Sequence, residues 1–255
     1  ATSVTLDDNS GTATVTINTT NGAQTIAGTI DSATAGEGTL VVKDDDADAA
    51  AQTATFSGNI GGSNSLGAIT VGSTTEAGSA VFQGTVAATN ITVDGGDNSN
   101  ETGLVEFQKA VTATAISLDD NTGTATATFN TTNGAQTIAG TIDGGAAGEG
   151  TLAVKDDDVD ALGDKLIFTE NVGASKSLQS IIVGSSTESG NARFWGTVAA
   201  TTITLTGGDN SAEIGFADFF NTITATSITL DDNTAISFMD LNPTNGTFTV
   251  TGTID

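Results

Sequence analysis

The sequence predicts an all-β chain, and within that class a parallel β-helix (β-solenoid) of roughly nine coils. Three observations carry the prediction. The chain repeats itself over long stretches, apolar and polar residues alternate with period two inside each repeat, and Gly with Asp or Asn closes each alternating run.

The long repeat is read from motifs that return at constant spacing. Leu6-Asp7-Asp8-Asn9 returns as Leu118-Asp119-Asp120-Asn121 and as Leu230-Asp231-Asp232-Asn233. The run from Asn21 to Asp31 returns unchanged from Asn133 to Asp143, and Gly95-Gly96-Asp97-Asn98 returns at 207–210. No insertion separates the copies. Residues 1–255 therefore read as one continuous solenoid segment built from 112-residue repeats, with copies at 1–112 and 113–224 and a partial copy at 225–255. The final motif, Thr251 to Asp255, matches Ala139 to Asp143 well inside the second copy. A longer array is expected.

A shorter unit lies within the repeat. Phe56, Phe82, Phe107 and Ile138 each lead a run of the form apolar-x-Gly/Lys-x-aliphatic. Each run is followed by a second alternation: Ile69-Thr70-Val71, Ile91-Thr92-Val93, Ile116-Ser117-Leu118 and Leu152-Ala153-Val154. On this reading four units fill one copy. In a strand Phe82, Gly84 and Val86 share one face while Gln83 and Thr85 share the other. Phe56, Phe82, Phe107, Phe168, Phe194 and Phe219 are expected to form an internal stack. No window carries an apolar stripe of helical period, so helix content should be near zero. A unit this small cannot bury a core alone, whereas stacked copies bury a continuous one. At about 4.8 Å per coil, four coils would advance the chain by about 19 Å per copy. The alternative is a tandem array of immunoglobulin-like β-sandwiches of about 110 residues each, a size that matches the repeat well. The four sub-units and the single Pro speak against it.

Composition narrows the chemistry. There are 31 Asp and Glu against 6 Lys and Arg, a formal net charge of −25. Such a field repels nucleic acid and anionic membranes and attracts cations. No apolar run approaches the length of a membrane-spanning helix, and no signal peptide is read. The chain has no Cys and no His. Ser/His/Asp and Cys/His nucleophiles and zinc sites of the Cys/His type are therefore excluded within it. Carboxylates abound, but a base to pair with them in one groove does not. The single Arg, Arg193, has Val81 as its counterpart in the first copy, and Lys43 and Lys155 each stand beside three Asp in what reads as a local ion pair. No enzyme is expected.

The acidic turns are the first candidate site. Ca²⁺ takes about six to eight oxygen ligands, which stacked Asp turns could supply. The candidate ligands are Asp44, Asp46 and Asp48, with their copies Asp156, Asp158 and Asp160. The competing reading is solvated turns that keep the chain soluble and blunt sideways pairing. The EF-hand spacing and the Gly-Gly-x-Gly-x-Asp nonapeptide are both absent. No other cofactor is expected. Trp195 alternates out of phase with Phe194 and so should be exposed. It reads as a carbohydrate or partner contact or, since its copy is Gln83, as a neutral surface variant. The run Thr12-Ala13-Thr14-Val15-Thr16 reads as ordinary β-propensity, because an ice-binding array would need paired Thr at one register in every coil.

The segment Ala54-Thr55-Phe56-Ser57-Gly58-Asn59-Ile60-Gly61-Gly62, followed by Leu66-Gly67-Ala68-Ile69-Thr70-Val71-Gly72, resembles the passenger repeats of autotransporter-type surface proteins. Gly148-Glu149-Gly150-Thr151-Leu152 is similar to the Gly-x-Gly-Thr-Leu segment of those repeats. The texture also resembles rickettsial-type outer-surface antigens and some surface-layer proteins, over nearly the whole chain. The resemblance implies a right-handed parallel β-helix displayed outside a Gram-negative cell, although the sequence carries neither the membrane β-barrel nor the leader of complete members. The expectation is a non-catalytic structural protein at the bacterial cell surface. It would self-associate into a rod, filament or surface layer. The alternative is an adhesin stalk that binds a host or cell-surface glycan.

Overall fold

The structure is a computed structural model that describes residues 2–9, 11–20, 22–45, 52–131, 134–156, 164–242 and 249–255. Among them no residue is helical. The chain divides into two compact units, Ala1–Ala127 and Thr128–Asp255. The first contains β1 (Ser3–Leu6), β2 (Thr14–Asn18), β3 (Gln24–Ile26), β4 (Thr29–Ser32), β5 (Glu37–Lys43), β6 (Thr53–Phe56), β7 (Leu66–Val71), β8 (Gly78–Phe82), β9 (Val86–Asp94), β10 (Thr102–Phe107) and β11 (Val111–Asp119). β12 (Thr124–Asn130) includes residues of both. The second contains β13 (Gln136–Gly144), β14 (Glu149–Lys155), β15 (Leu166–Phe168), β16 (Leu178–Val183), β17 (Gly190–Phe194), β18 (Val198–Thr206), β19 (Gly215–Phe219), β20 (Ile223–Asp231), β21 (Ser237–Leu241) and β22 (Val250–Ile254).

Each unit is a parallel β-solenoid, and the chain makes about nine turns in all. In the first unit the strand orders are β3-β6-β8-β10 on one sheet and β2-β5-β7-β9-β11 on the other, with β1 paired to β4. In the second they are β14-β16-β18-β20-β22 and β13-β15-β17-β19-β21. Successive strands of a sheet are thus one full turn apart in the chain. These in-register parallel ladders set aside the tandem-sandwich alternative, which requires antiparallel sheets.

The period-two pattern decides which side chains go inside. In β5 the buried positions are Gly38, Leu40 and Val42, with Glu37, Thr39, Val41 and Lys43 half-buried on the other face. Register then stacks like on like. Leu40, Ile69, Ile91 and Ile116 form one column of the first unit, and Val42, Val71, Val93 and Leu118 the next. Phe56, Phe82 and Phe107 stack with ring centroids 4.9 and 5.5 Å apart. Phe168, Phe194 and Phe219 do the same in the second unit at 4.8 and 5.0 Å. All six expected rings are wholly buried. The bends need glycine at particular points. Gly61 and its copy Gly173 have φ of +68° and +71°. A Cβ at these positions would lie 2.1 Å from the Ala87 carbonyl oxygen and 1.9 Å from that of Ala199.

The reading of four coils per copy requires correction. Within the second unit, β13 and β22 contain equivalent positions of successive copies, yet they lie in opposite sheets. Ile138 pairs with Phe168 of β15, whereas its copy Val250 pairs with Ile223 of β20. A copy therefore holds an odd number of half-turns, four and a half turns rather than four. The unread half-turn is β2 and its copy β12. In β12 the inward residues are Ala125, Ala127 and Phe129, all buried, and two small apolar side chains left no strong alternation in the sequence. In β2 the same strand is the Thr-rich run around Val15.

Candidate functional site

The Leu-Asp-Asp-Asn repeats fold as self-satisfied turns. The first Asp accepts a hydrogen bond from the backbone N–H two residues on, Asn9 to Asp7 at 3.2 Å and Asn121 to Asp119 at 3.2 Å. This local bond lets Asn9 and Asn121 adopt positive φ, +33° and +48°. The second Asp caps the next strand. Asp8 accepts from the Ala13 and Gly38 N–H groups at 2.6 and 3.1 Å, Asp120 from Ala125 at 2.7 Å, and Asp232 from Ser237 at 2.6 Å. The backbone N–H of Ala13, followed by that of Gly38, holds the Asp8 carboxyl below its ordinary range, and the Ser237 N–H does the same for Asp232. These carboxylates are committed to the protein's own backbone.

Of the six candidate Ca²⁺ ligands, Asp44 and Asp156 lie within the described residues, and both are buried. Asp46, Asp48, Asp158 and Asp160 lie outside them. Asp44 is tied down by its N–H, which donates to the Ala77 carbonyl at 2.9 Å, and its carboxylate accepts from the Gln52 N–H at 2.7 Å. The Asp156 N–H donates to the Ser189 carbonyl at 2.8 Å. Among the described residues no three carboxylates come together as a ligand set. Lys43 pairs with Asp45 at 2.7 Å, as the sequence suggested, and also with Glu76 at 3.2 Å. Those partners, Asp45 first, raise the Lys43 ammonium above its ordinary value, and Lys43 in turn lowers Asp45. Lys155 sits 3.9 Å from Glu188, the copy of Glu76. The Glu partners come from the turn above, a neighbour that adjacency in sequence does not reveal.

Asp94 behaves differently from the other acids. It is buried and in register with Asp119 of the next turn. Desolvation, and to a smaller extent Asp119, pushes its carboxyl above the ordinary range, against hydrogen bonds from the Gly96 N–H at 3.3 Å and the Asn121 amide at 2.6 Å.

The second candidate is a patch on the outer face of β17, β19 and β21. Trp195, Phe220 and Asn242 occupy the same register in three successive turns. Their N–H groups donate to the carbonyls of Phe168, Phe194 and Phe219 at 3.0, 2.9 and 2.9 Å. Trp195 is 42% exposed, and its ring stacks on Phe220 at 4.1 Å. Beside them Arg193, Asp218 and Asp240 form a second register column. Arg193 donates from Nε to Asp218 at 3.0 Å, and its guanidinium carbon lies 6.0 and 5.2 Å from the Trp195 and Phe220 ring centres. The Asn242 amide donates to Asp218 at 2.7 Å and to Asp240 at 2.9 Å. The expected exposure of Trp195 is thus met. Its partners were missed because they lie one and two turns further along the chain. Stepping from Trp195 by the spacing that separates Phe194 from Phe219 would have found Phe220.

Compared with known proteins, the chain matches no family model, no curated protein and no solved structure.

Proposed function

We propose that this chain is a structural segment of an extracellular bacterial surface protein, one that builds a rod, filament or surface layer by self-association and performs no catalysis. The observation that supports this most is the repetition itself. Turn after turn is filled by the same buried columns, with the sequence spent on stacking rather than on enclosing a ligand. The charge of −25 would hold neighbouring copies apart sideways until cations screen it. In this reading Ca²⁺ at Asp44, Asp46, Asp48 and at Asp156, Asp158, Asp160 would screen the acidic turns.

Electron microscopy of the native protein tests the reading, first with Ca²⁺ and then with chelator. Filaments or sheets built from this protein alone are the expected result, and their dissolution in chelator would assign the Asp clusters to Ca²⁺. Monodisperse single particles under both conditions would overturn self-assembly. The second reading, an adhesin stalk that binds a glycan, is favoured by the exposed aromatic patch around Trp195.

A further inference from the structure

The single Trp and the single Arg of the chain fall two positions apart, in the same patch. The patch belongs to the second copy and is not repeated in the first. The positions in the first copy are Val81 for Arg193, Gln83 for Trp195, Glu106 for Asp218 and Gln108 for Phe220. There the column is polar and self-satisfied. Ser57 donates to Gln83 at 2.9 Å, and Gln108 donates to Glu106 at 2.8 Å. In the second copy, four changes in two adjoining columns have put two stacked rings there and an ion pair between a half-buried Arg193 and a buried Asp218. The coil architecture does not call for this exchange, since the same register in the first copy is filled without rings or an ion pair.

From this we infer that Trp195, Arg193 and Asn242 form a binding platform for a neutral oligosaccharide. The exposed Trp ring supplies an apolar surface for the C–H face of a sugar. The guanidinium supplies donors for hydroxyl groups, and the Asn242 amide oxygen and the exposed carboxylate of Asp240 supply acceptors, the Asn242 N–H groups being held by Asp218 and Asp240. Arg193 is held by Asp218 and flanked by both rings, so its remaining N–H groups are pre-oriented at little further entropic cost. Charge selects the ligand class. One guanidinium stands beside Asp218 and Asp240 on a chain of net charge −25, which disfavours sulfated, phosphorylated or uronic-acid glycans. A protein partner is disfavoured too, because the rings border a polar column rather than a continuous apolar core. The platform holds whether or not the chain self-assembles.

The chain contains no Tyr, so its near-ultraviolet emission reports on Trp195 alone. Titration of the intact chain with neutral cello-, malto- and N-acetylchito-oligosaccharides is expected to shift that emission saturably for at least one series, with a dissociation constant of about 1 mM or tighter. Calorimetry on Trp195→Gln and Arg193→Val, which restore the residues of the first copy, should show binding weakened at least about tenfold. The circular dichroism of both variants should remain that of the parent, and Trp195→Gln should keep its melting temperature. Arg193→Val, which leaves the buried Asp218 carboxylate without its cation, should lower it, so the affinities are compared well below both transitions. Absence of any saturable shift up to about 10 mM sugar would overturn the platform. So would unchanged affinity in both variants, or an emission shift that follows protein concentration rather than sugar.

Discussion

At the scale of single residues, the acids divide into two classes with opposite effects on stability. Asp8, Asp45 and Asp232 have folded-state values below their ordinary ones, so the stability they contribute is present above about pH 4 and is lost as pH falls through the lowered values. Asp232 is solvent-exposed and Asp8 half-buried, so added salt should shrink the share of Asp232 more than that of Asp8. Asp94 has the opposite sign. Its charged form is penalised in the fold at neutral pH, and the penalty disappears as pH drops through its raised value. Asp94→Asn keeps an oxygen acceptor for Gly96 and Asn121 while removing the charge. It is expected to raise the urea midpoint at pH 7 and to lose that advantage in acid. An unchanged or lower midpoint at pH 7 would mean that Asp94 is stabilising as an anion. The sequence made these acidic clusters visible but could not assign their roles. Asp7 and Asp8 differ in role, the one bonding inside its turn and the other capping a strand, and Asp94 differs from both because register sets it against Asp119. Adjacency in sequence does not encode that stacking.

At the scale of the element, glycine sets bends such as those at 61 and 173, Asn those at 9 and 121, and alternation sets the walls. Alternation was legible wherever the inward residues were large. Phe56, Phe82 and Phe107, with the Ile and Leu columns opposite, could be read directly, and their registers are those found. It failed at β12, where Ala125 and Ala127 face inward and the period-two signal fades, so that one half-turn per copy went uncounted. The glycine at position 61 and its copy at 173 illustrate the demand on a bend. Gly173→Ala must place a side chain at φ +71° with its Cβ against the Ala199 carbonyl oxygen. The backbone conformation alone should cost about 1–3 kcal/mol, and the clash adds to it. Gly11 has open space around it, so Gly11→Ala should stay within about 0.5 kcal/mol of the parent. Urea unfolding of the two variants checks the contrast, and equal midpoints would show that the bend yields more easily than its geometry implies.

At the scale of the whole molecule, the half-integral repeat has a geometric consequence. The step from one copy to the next ends on the opposite sheet, as β13 and β22 demonstrate inside the second unit. An array of such repeats would turn each copy by half a revolution about the axis while advancing it by about 22 Å, four and a half turns at about 4.8 Å each. Its true axial period is then two copies, or about 43 Å. Features that recur in every copy would face alternate sides, so identical contacts become available on both flanks. Contacts on both flanks favour extended layers over closed dimers. Fibre diffraction from oriented assemblies separates this geometry from four turns per copy. The expected pattern has layer lines indexing on about 43 Å, meridional intensity on even orders only, starting at about 22 Å, and the strand spacing of about 4.8 Å on the ninth layer line, off the meridian. A first meridional order at about 19 Å would instead restore four turns per copy and remove the alternation of faces.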